Sequence, residues 1–186
     1  MIKAVVVDHH DSYTWNLVHL VAAVTGTLPE VVEHDEVAAA DLAAYTHVVL
    51  SPGPGRPDDP RDFALGREVF ELDRPVLGVC LGMQALVHAY GGRVGQVEPA
   101  HGEVAEVRHD GTGVFAGLPS PFDAVRYHAL AALEVPPALS VTARSADDGV
   151  MGVAHLERPQ WGVQFHPESV LTEHGRRMLT SFLELR

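Results

Sequence analysis

Cys80, the one cysteine of the chain, stands in Gly78-Val79-Cys80-Leu81-Gly82, where an apolar run breaks and a helix-like segment begins. Glycines on both flanks are what a sharp strand-to-helix turn demands, because a nucleophile held at such an elbow leaves no room for side chains around it. A thiol placed there projects from the carboxyl end of a strand, and the positive end of the following helix favours its thiolate. A cysteine nucleophile also needs a base, and the base needs an orienting group. His166 and Glu168 supply both within Gln164-Phe165-His166-Pro167-Glu168-Ser169. Pro167 disfavours the helical conformation at His166, and in extended chain residues two apart project to one side. A third element, Ser51-Pro52-Gly53-Pro54-Gly55-Arg56-Pro57, follows the apolar run that ends at Leu50. Its stiff, bare backbone can offer an N–H to a developing oxyanion, at the strand end where open α/β sheets place their ligands. Singly, these are a buried free cysteine, a surface ion pair and a tight turn. Jointly they describe attack by a thiolate on a carbonyl carbon.

The elements that must carry these groups alternate. Lys3 to Asp8 reads as a strand, and Asp11 or Ser12 caps a helix with Leu17, Leu20, Val21 and Val24 on one face. Strands follow at Glu30 to His34 and His47 to Leu50, with an alanine-rich helical stretch from Glu36 to Ala44 between them. Phe63 to Leu72 reads as helix, Pro75 to Val79 as strand, and Leu81 to Tyr90 as a helix closed by Gly91-Gly92. Beyond Gly92 the runs shorten and alternate: Glu103 to Arg108, Ala124 to Tyr127, Leu139 to Arg144, Gly149 to His155 and Trp161 to Phe165. These are expected to be antiparallel additions, closed by an amphipathic helix from Glu173 to Leu185 that packs Met178, Leu179 and Phe182 on the sheet. Pro136-Pro137 is a turn inside the domain, and no repeat, low-complexity tract or linker interrupts the chain. The expected fold is α/β: an open, mostly parallel sheet flanked by helices, with antiparallel additions in the C-terminal half.

With 186 residues and 46% hydrophobic content the chain can close one core, so residues 1–186 are expected to form a single domain. Acidic residues outnumber basic ones 25 to 13, a formal charge of -12, which excludes a nucleic-acid surface and leaves small molecules or a protein partner. A single cysteine forms no internal disulfide, and the apolar stretch after Lys3 is too short for a signal peptide or a membrane span. A soluble cytoplasmic protein is expected, with no membrane contact. Twelve histidines bring no metal motif: there is no second cysteine, no H-E-x-x-H, and His9-His10 lacks a third ligand at a familiar spacing.

G-V-C-L-G-M-Q, S-P-G-P-G-x-P, R-Y-H-A-L and Q-F-H-P-E-S, in this order and covering essentially the whole chain, resemble a class I, or triad, glutamine amidotransferase domain. That resemblance implies that Cys80 attacks the side-chain amide of L-glutamine, His166 takes its proton and passes it to departing ammonia, and Glu168 orients His166. It places the oxyanion on the backbone N–H groups of Gly53 and Leu81, with Pro54 and Gly55 shaping the loop. Gln84 and the backbone of Ala129 and Leu130 would hold the α-amino and carboxylate groups of glutamine. The opening Asp11-Ser12-Tyr13-Thr14-Trp15-Asn16-Leu17 is similar to the D-S-F-T-x-N-L of glutaminase components that serve chorismate-aminating synthases. The resemblance then implies that Asp11, Ser12, Tyr13, Thr14 and Asn16, with His101 and Gly102, face a chorismate-binding synthase. Two positions depart from the family pattern: Glu103 stands where Lys or Arg is usual, and Ala129 where Ser is usual.

No cofactor or metal is expected in this chain, magnesium belonging to the synthase. The stretches Val107 to Gly111 and Thr172 to Gly175 are closer in kind to the glutaminase portions of fused aminodeoxychorismate synthases than to stand-alone anthranilate components. Aminodeoxychorismate formation is therefore the expected pathway, with anthranilate and aminodeoxyisochorismate synthases as alternatives. Two readings from other classes are a non-catalytic regulatory subunit of the same fold and a cysteine hydrolase acting on γ-glutamyl substrates or peptides. The intact Cys80 and His166 speak against the first, and the glutamine-pocket motifs against the second.

Overall fold

The computed structural model describes residues 1–185. Its elements in chain order are β1 (Ala4–Asp8), α1 (Thr14–Thr25), β2 (Glu30–Glu33), β3 (His47–Leu50), β4 (Val76–Val79), α2 (Leu81–Ala89), β5 (Arg93–His109), β6 (Phe122–Glu134), β7 (Leu139–Ser145), β8 (Val150–His155), β9 (Gln160–Val163) and α3 (Gly175–Glu184). Nine strands form one sheet in the order β2-β1-β3-β4-β9-β8-β7-β5-β6. β2, β1, β3, β4 and β9 run parallel, and β8, β7, β5 and β6 continue the sheet antiparallel.

The inner parallel strands β1, β3 and β4 are largely apolar because both of their faces are covered. Val6, Val49, Leu77 and Val79 point to one layer, where Leu17, Val18 and Val21 of α1 meet Met178, Leu179 and Phe182 of α3. Val5, Val7, Val48, Leu50 and Val76 point to the other, against Leu81, Met83, Ala85 and Leu86 of α2 and against Leu42, Phe63, Val69 and Phe70. The period of two along each strand divides the core into these layers.

Several local expectations are corrected. Glu36 to Ala44 is helical only at Ala39–Ala44, as a 3-10 turn, and Phe63 to Leu72 only at Glu68–Glu71. Gly66, at φ 57°, breaks the second segment before it can propagate. Arg93–His109 is one continuous bulged strand, not a short run from Glu103, and its partner strand reaches Glu134 instead of stopping at Tyr127. Trp161 to Phe165 is not purely an antiparallel addition. β9 pairs parallel with β4 through Leu77 and Trp161, and antiparallel with β8, so it is the seam between the two halves of the sheet. That seam positions the site: β4 leads to Cys80, and β9 leads to His166 beside it.

Candidate active site

Cys80 has φ 53° and ψ -102°, a conformation that side-chain-bearing residues rarely adopt, between the end of β4 and the first turn of α2. The turn is held by its backbone, since Cys80 N–H donates to Val163 O at 2.8 Å and Gln84 N–H donates to Cys80 O at 3.0 Å. The flanking glycines are steric necessities. A Cβ on Gly78 would lie 2.4 Å from the Gly82 carbonyl carbon, and one on Gly82 would lie 2.7 Å from Leu50 O.

His166 and Glu168 meet as expected, with Nδ1 and Oε1 2.5 Å apart and both side chains buried. The geometry that joins them is a turn, not extended chain: Ser169 N–H donates to His166 O, and Pro167 occupies the second position of the turn. β6 fixes the segment, because His166 N–H donates to Val125 O while Thr172 Oγ1 accepts the Val125 N–H. Gly175 at the start of α3 lies so close to the Pro167 carbonyl that a Cβ there would stand 2.0 Å away. Burial opposes a charge on His166, but its contact with Cys80 and the hydrogen bond and charge of Glu168 outweigh it and raise the imidazole to about 10. Nε2 of His166 sits buried without a hydrogen-bond partner, so the contact with Cys80 is one of proximity and not a formed N–H···S bond.

The loop after β3 approaches the nucleophile through glycine. A Cβ on Gly53 would fall 2.6 Å from His9 Cβ and 2.8 Å from Leu81 Cδ2. Gly55, at φ 87°, packs on Asp62, whose Oδ2 accepts the Arg56 N–H at 2.8 Å. Ser51 Oγ donates to Pro52 O at 2.6 Å and accepts the His9 N–H at 2.9 Å. A trans peptide directs its C=O and N–H oppositely, so fixing the Pro52 carbonyl on Ser51 turns the Gly53 N–H away from it. Among the described residues neither Gly53 N–H nor Leu81 N–H is engaged, which leaves two backbone donors free, one next to Cys80 in the chain and one on the loop that packs on Leu81. The supporting pair, Ser51 and His9, was missed in the sequence. They lie at the ends of adjacent strands, where Val7 and Leu50 are in register.

Gln84 is buried, and its amide nitrogen donates to Leu130 O at 2.8 Å and to Gln164 Oε1 at 3.2 Å, leaving only its oxygen for a ligand. Leu130 O is also within 2.9 Å of His128 Nδ1, so that carbonyl is committed to the protein. Ala129 lies in the bulge between the Gln96–Leu130 and Ala100–His128 pairs, exposed and without a ladder partner, so its backbone is the part of the pair left open. Gln164 itself is fully buried and donates to Cys80 Sγ at 3.4 Å.

The residues expected to face a partner divide. Thr14 is not at the surface: it is fully buried, and its hydroxyl donates to Asp8 Oδ1 at 2.7 Å. Neither Asp11 nor Ser12 caps α1. Tyr13 is the boundary residue, and Asp11 Oδ1 accepts the Tyr13 N–H ahead of the helix. Ser12 and Asn16 are exposed. Tyr13 reaches inward, its ring 5.3 Å from that of Tyr127 and 5.7 Å from that of His166. His101 is in register with Tyr127, and Gly102, at φ 71°, lies over the Tyr127 ring. Glu103 accepts from Arg126 at 2.6 Å, which gives this departure from the usual basic residue a local partner.

His10, His34 and Asp35 bring potential ligand atoms within 4.8 Å of one another. Ala64 N–H donates to His34 Nδ1 at 3.0 Å, so the neutral ring carries its proton on Nε2 and offers no lone pair to an ion. The large hollow of about 980 Å³ lined by Tyr45, His47, Arg74 and Leu183 contains none of Cys80, His166 and Glu168. Cys80 is only 6% exposed. Among the described residues no helix is long and apolar enough to cross a membrane.

The family model of glutamine amidotransferase class-I matches residues 5–185. The chain is 50% identical over 187 residues to an aminodeoxychorismate synthase of Streptomyces griseus, covering 98% of this chain and 26% of that protein. It thus spans about a quarter of the length of that relative. It is 47% identical to anthranilate synthase component 2 of Archaeoglobus fulgidus, with 97% of each chain covered, and 41% identical to that of Methanothermobacter thermautotrophicus, with 100% of each covered. A crystal structure of a Thermoplasma acidophilum protein, described as one subunit of a GMP synthase, superposes with a TM-score of 0.88 at 27% identity, covering 98% of this chain and 92% of the other. The elbow, the histidine–glutamate turn and the glycine loop therefore sit on a chain matched over nearly its whole length by these proteins, and the chain belongs to the class-I glutamine amidotransferase family.

Proposed function

We propose that this chain is the glutaminase part of a chorismate-aminating synthase, with Cys80, His166 and Glu168 as its catalytic triad. The observation that carries the reading is a strained cysteine flanked by a buried histidine–glutamate pair and by two unengaged backbone N–H groups. The Cys80 thiolate attacks Cδ of L-glutamine, and the carbonyl electrons move onto an oxyanion held by Gly53 and Leu81. The C–N bond then breaks as the His166 imidazolium gives its proton to the amide nitrogen, releasing ammonia and leaving a γ-glutamyl thioester. Neutral His166 next takes a proton from water, hydroxide adds to the thioester, and glutamate leaves as the Cys80 thiolate returns. Glu168 keeps the imidazole oriented and stabilises its cation throughout. Glutamine enters with its α-amino group toward Gln84 Oε1 and its carboxylate toward the open backbone at Ala129.

Ammonia passes to a chorismate-binding synthase, with magnesium on that partner, and aminodeoxychorismate is the product this reading favours. Support comes from the Streptomyces griseus relative; the anthranilate components support the second reading, in which the same glutaminase serves anthranilate formation. Cys80 is nearly closed off and His166 Nε2 makes no bond to it, so the isolated chain turns over slowly and the synthase completes the site. The test is Cys80→Ala in complex with its synthase, assayed with chorismate, magnesium and either glutamine or ammonia, with the aromatic product identified. Glutamine-dependent amination disappears and ammonia-dependent amination survives; retention of the former removes the assignment.

A further inference from the structure

We propose that Gln164 is a further catalytic residue of this site: its side-chain N–H donates to Cys80 Sγ and holds the sulfur as thiolate. The inference rests on the glutaminase reading, in which that sulfur is the attacking atom. Its warrant is the polarity of a hydrogen-bond chain. Leu130 O is a backbone carbonyl and can only accept, so the Gln84 atom 2.8 Å from it is the amide nitrogen. That same nitrogen lies 3.2 Å from one terminal atom of Gln164, which must then be the acceptor oxygen Oε1. The other terminal atom of Gln164 is thereby the nitrogen, and it lies 3.4 Å from Cys80 Sγ. One backbone carbonyl thus sets the direction of two amides, and a donor arrives at the sulfur without any freedom to flip.

The second polar neighbour of the sulfur is Tyr127 O at 3.9 Å, an acceptor that suits a thiol and disfavours a thiolate. Gln164 opposes it together with the His166 imidazolium, the titratable group that faces the sulfur, and with the N-terminal end of α2. Burial makes the opposition effective: Gln164 is fully buried and Gln84 is 3% exposed, so water replaces neither bond. The strain and glycines of the elbow account for where the sulfur lies; the Leu130–Gln84–Gln164 chain brings it a hydrogen-bond donor besides His166. The chain also ties the sulfur to Gln84, whose remaining oxygen faces the glutamine pocket in the proposed function.

The chain holds a single cysteine, so carboxamidomethylation by iodoacetamide reads Cys80 alone and involves no glutamine. Its rate is measured from pH 5 to pH 10 on the full chain, wild type and Gln164→Met, which keeps the length and removes the donor. Loss of a charge-assisted hydrogen bond lowers the rate about tenfold at pH 7 and moves the midpoint of the profile upward by about one pH unit, with the two rates converging at pH 10. Gln164→Leu, of similar size, also removes the donor and moves the midpoint upward as far, and it decides the matter if Gln164→Met does not fold. An unchanged midpoint in a folded variant, or a fall equal at every pH, overturns the proposal. Failure of the glutaminase reading is a separate result: no glutamate formed by wild type with its synthase, whatever the alkylation profile.

Discussion

The ring of Tyr13 stands edge-on to the imidazole of His166, with centroids 5.7 Å apart and planes at 70°. Tyr127 meets the same imidazole at 5.3 Å and 80°. Tyr13 belongs to the segment read as synthase-facing, yet its ring packs on His166, the proposed catalytic histidine. It therefore joins the proposed interface to the imidazole whose position decides whether proton transfer to the leaving nitrogen is possible.

Removing the Tyr13 ring is expected to act on turnover. An aromatic contact of this kind contributes about 0.5–1.5 kcal/mol, so Tyr13→Ala lowers synthase-dependent kcat about two- to tenfold with little change in KM for glutamine, and Tyr13→Phe keeps most of it. Steady-state glutaminase kinetics with the partner check this. Equal kcat for wild type and Tyr13→Ala contradicts it.

Thr14 separates fold from interface. Its buried hydroxyl donates to Asp8 at 2.7 Å, so Thr14→Val costs about 1 kcal/mol of stability in urea unfolding. Asn16→Ala, at an exposed position, leaves unfolding unchanged and weakens synthase binding. The reverse pattern places the interface elsewhere.

The elbow tolerates no methyl group. Gly78→Ala and Gly82→Ala each push a Cβ into backbone atoms 2.4 and 2.7 Å away, and backbone cannot yield as a flexible side chain does. A loss of about 3 kcal/mol is expected for each in thermal or urea unfolding. Gly111→Ala is the control for lost glycine freedom, since its φ is 78° and a Cβ there meets nothing within 4 Å.

Stability is expected to peak near pH 6.5. Burial, then the charges of His34 and His10, hold His9 down to about 3, so the unfolded chain takes up a proton near 6.5 that the folded chain refuses until about 3. Folding free energy is lost across that interval on acidification. His166 acts in the opposite sense: raised to about 10, it contributes fully below 6.5, and its contribution is lost as pH rises from 6.5 to 10. Urea midpoints at pH 4.5, 6.5 and 9 show the maximum. His9→Phe lessens the fall on the acid side and Glu168→Gln that on the alkaline side; a midpoint level with pH rejects both assignments.

The parallel half of the fold was legible because its central strands are short, largely apolar and separated by amphipathic segments, so Val5 and Val7 on one face with Val6 on the other announce burial on both. The segments around Ala39 and Glu68 were not, because alanine favours a helix wherever it stands, and what limited them to single turns was tertiary packing and Gly66. The dual pairing of β9 is not legible in the sequence, since it depends on which neighbour β4 finds in space. Cys80, His166 and Glu168 were legible as types and spacings, although the turn at Pro167 was read as extended chain. Gln164 stands in the same stretch, two residues before His166 on the same side, but its direction is set by Leu130 O across the fold. Ser51 and His9 were silent for a like reason, each being informative only beside the other.

In the proposed reaction Cys80 Sγ is the atom that glutamine meets. This is tested most directly by exposing the full chain, with its synthase, to a glutamine-analogue electrophile and mapping the adduct by mass spectrometry. One adduct per chain is expected, located on Cys80 and suppressed by excess L-glutamine. No adduct, or a Cys80 adduct that L-glutamine does not suppress, contradicts the account.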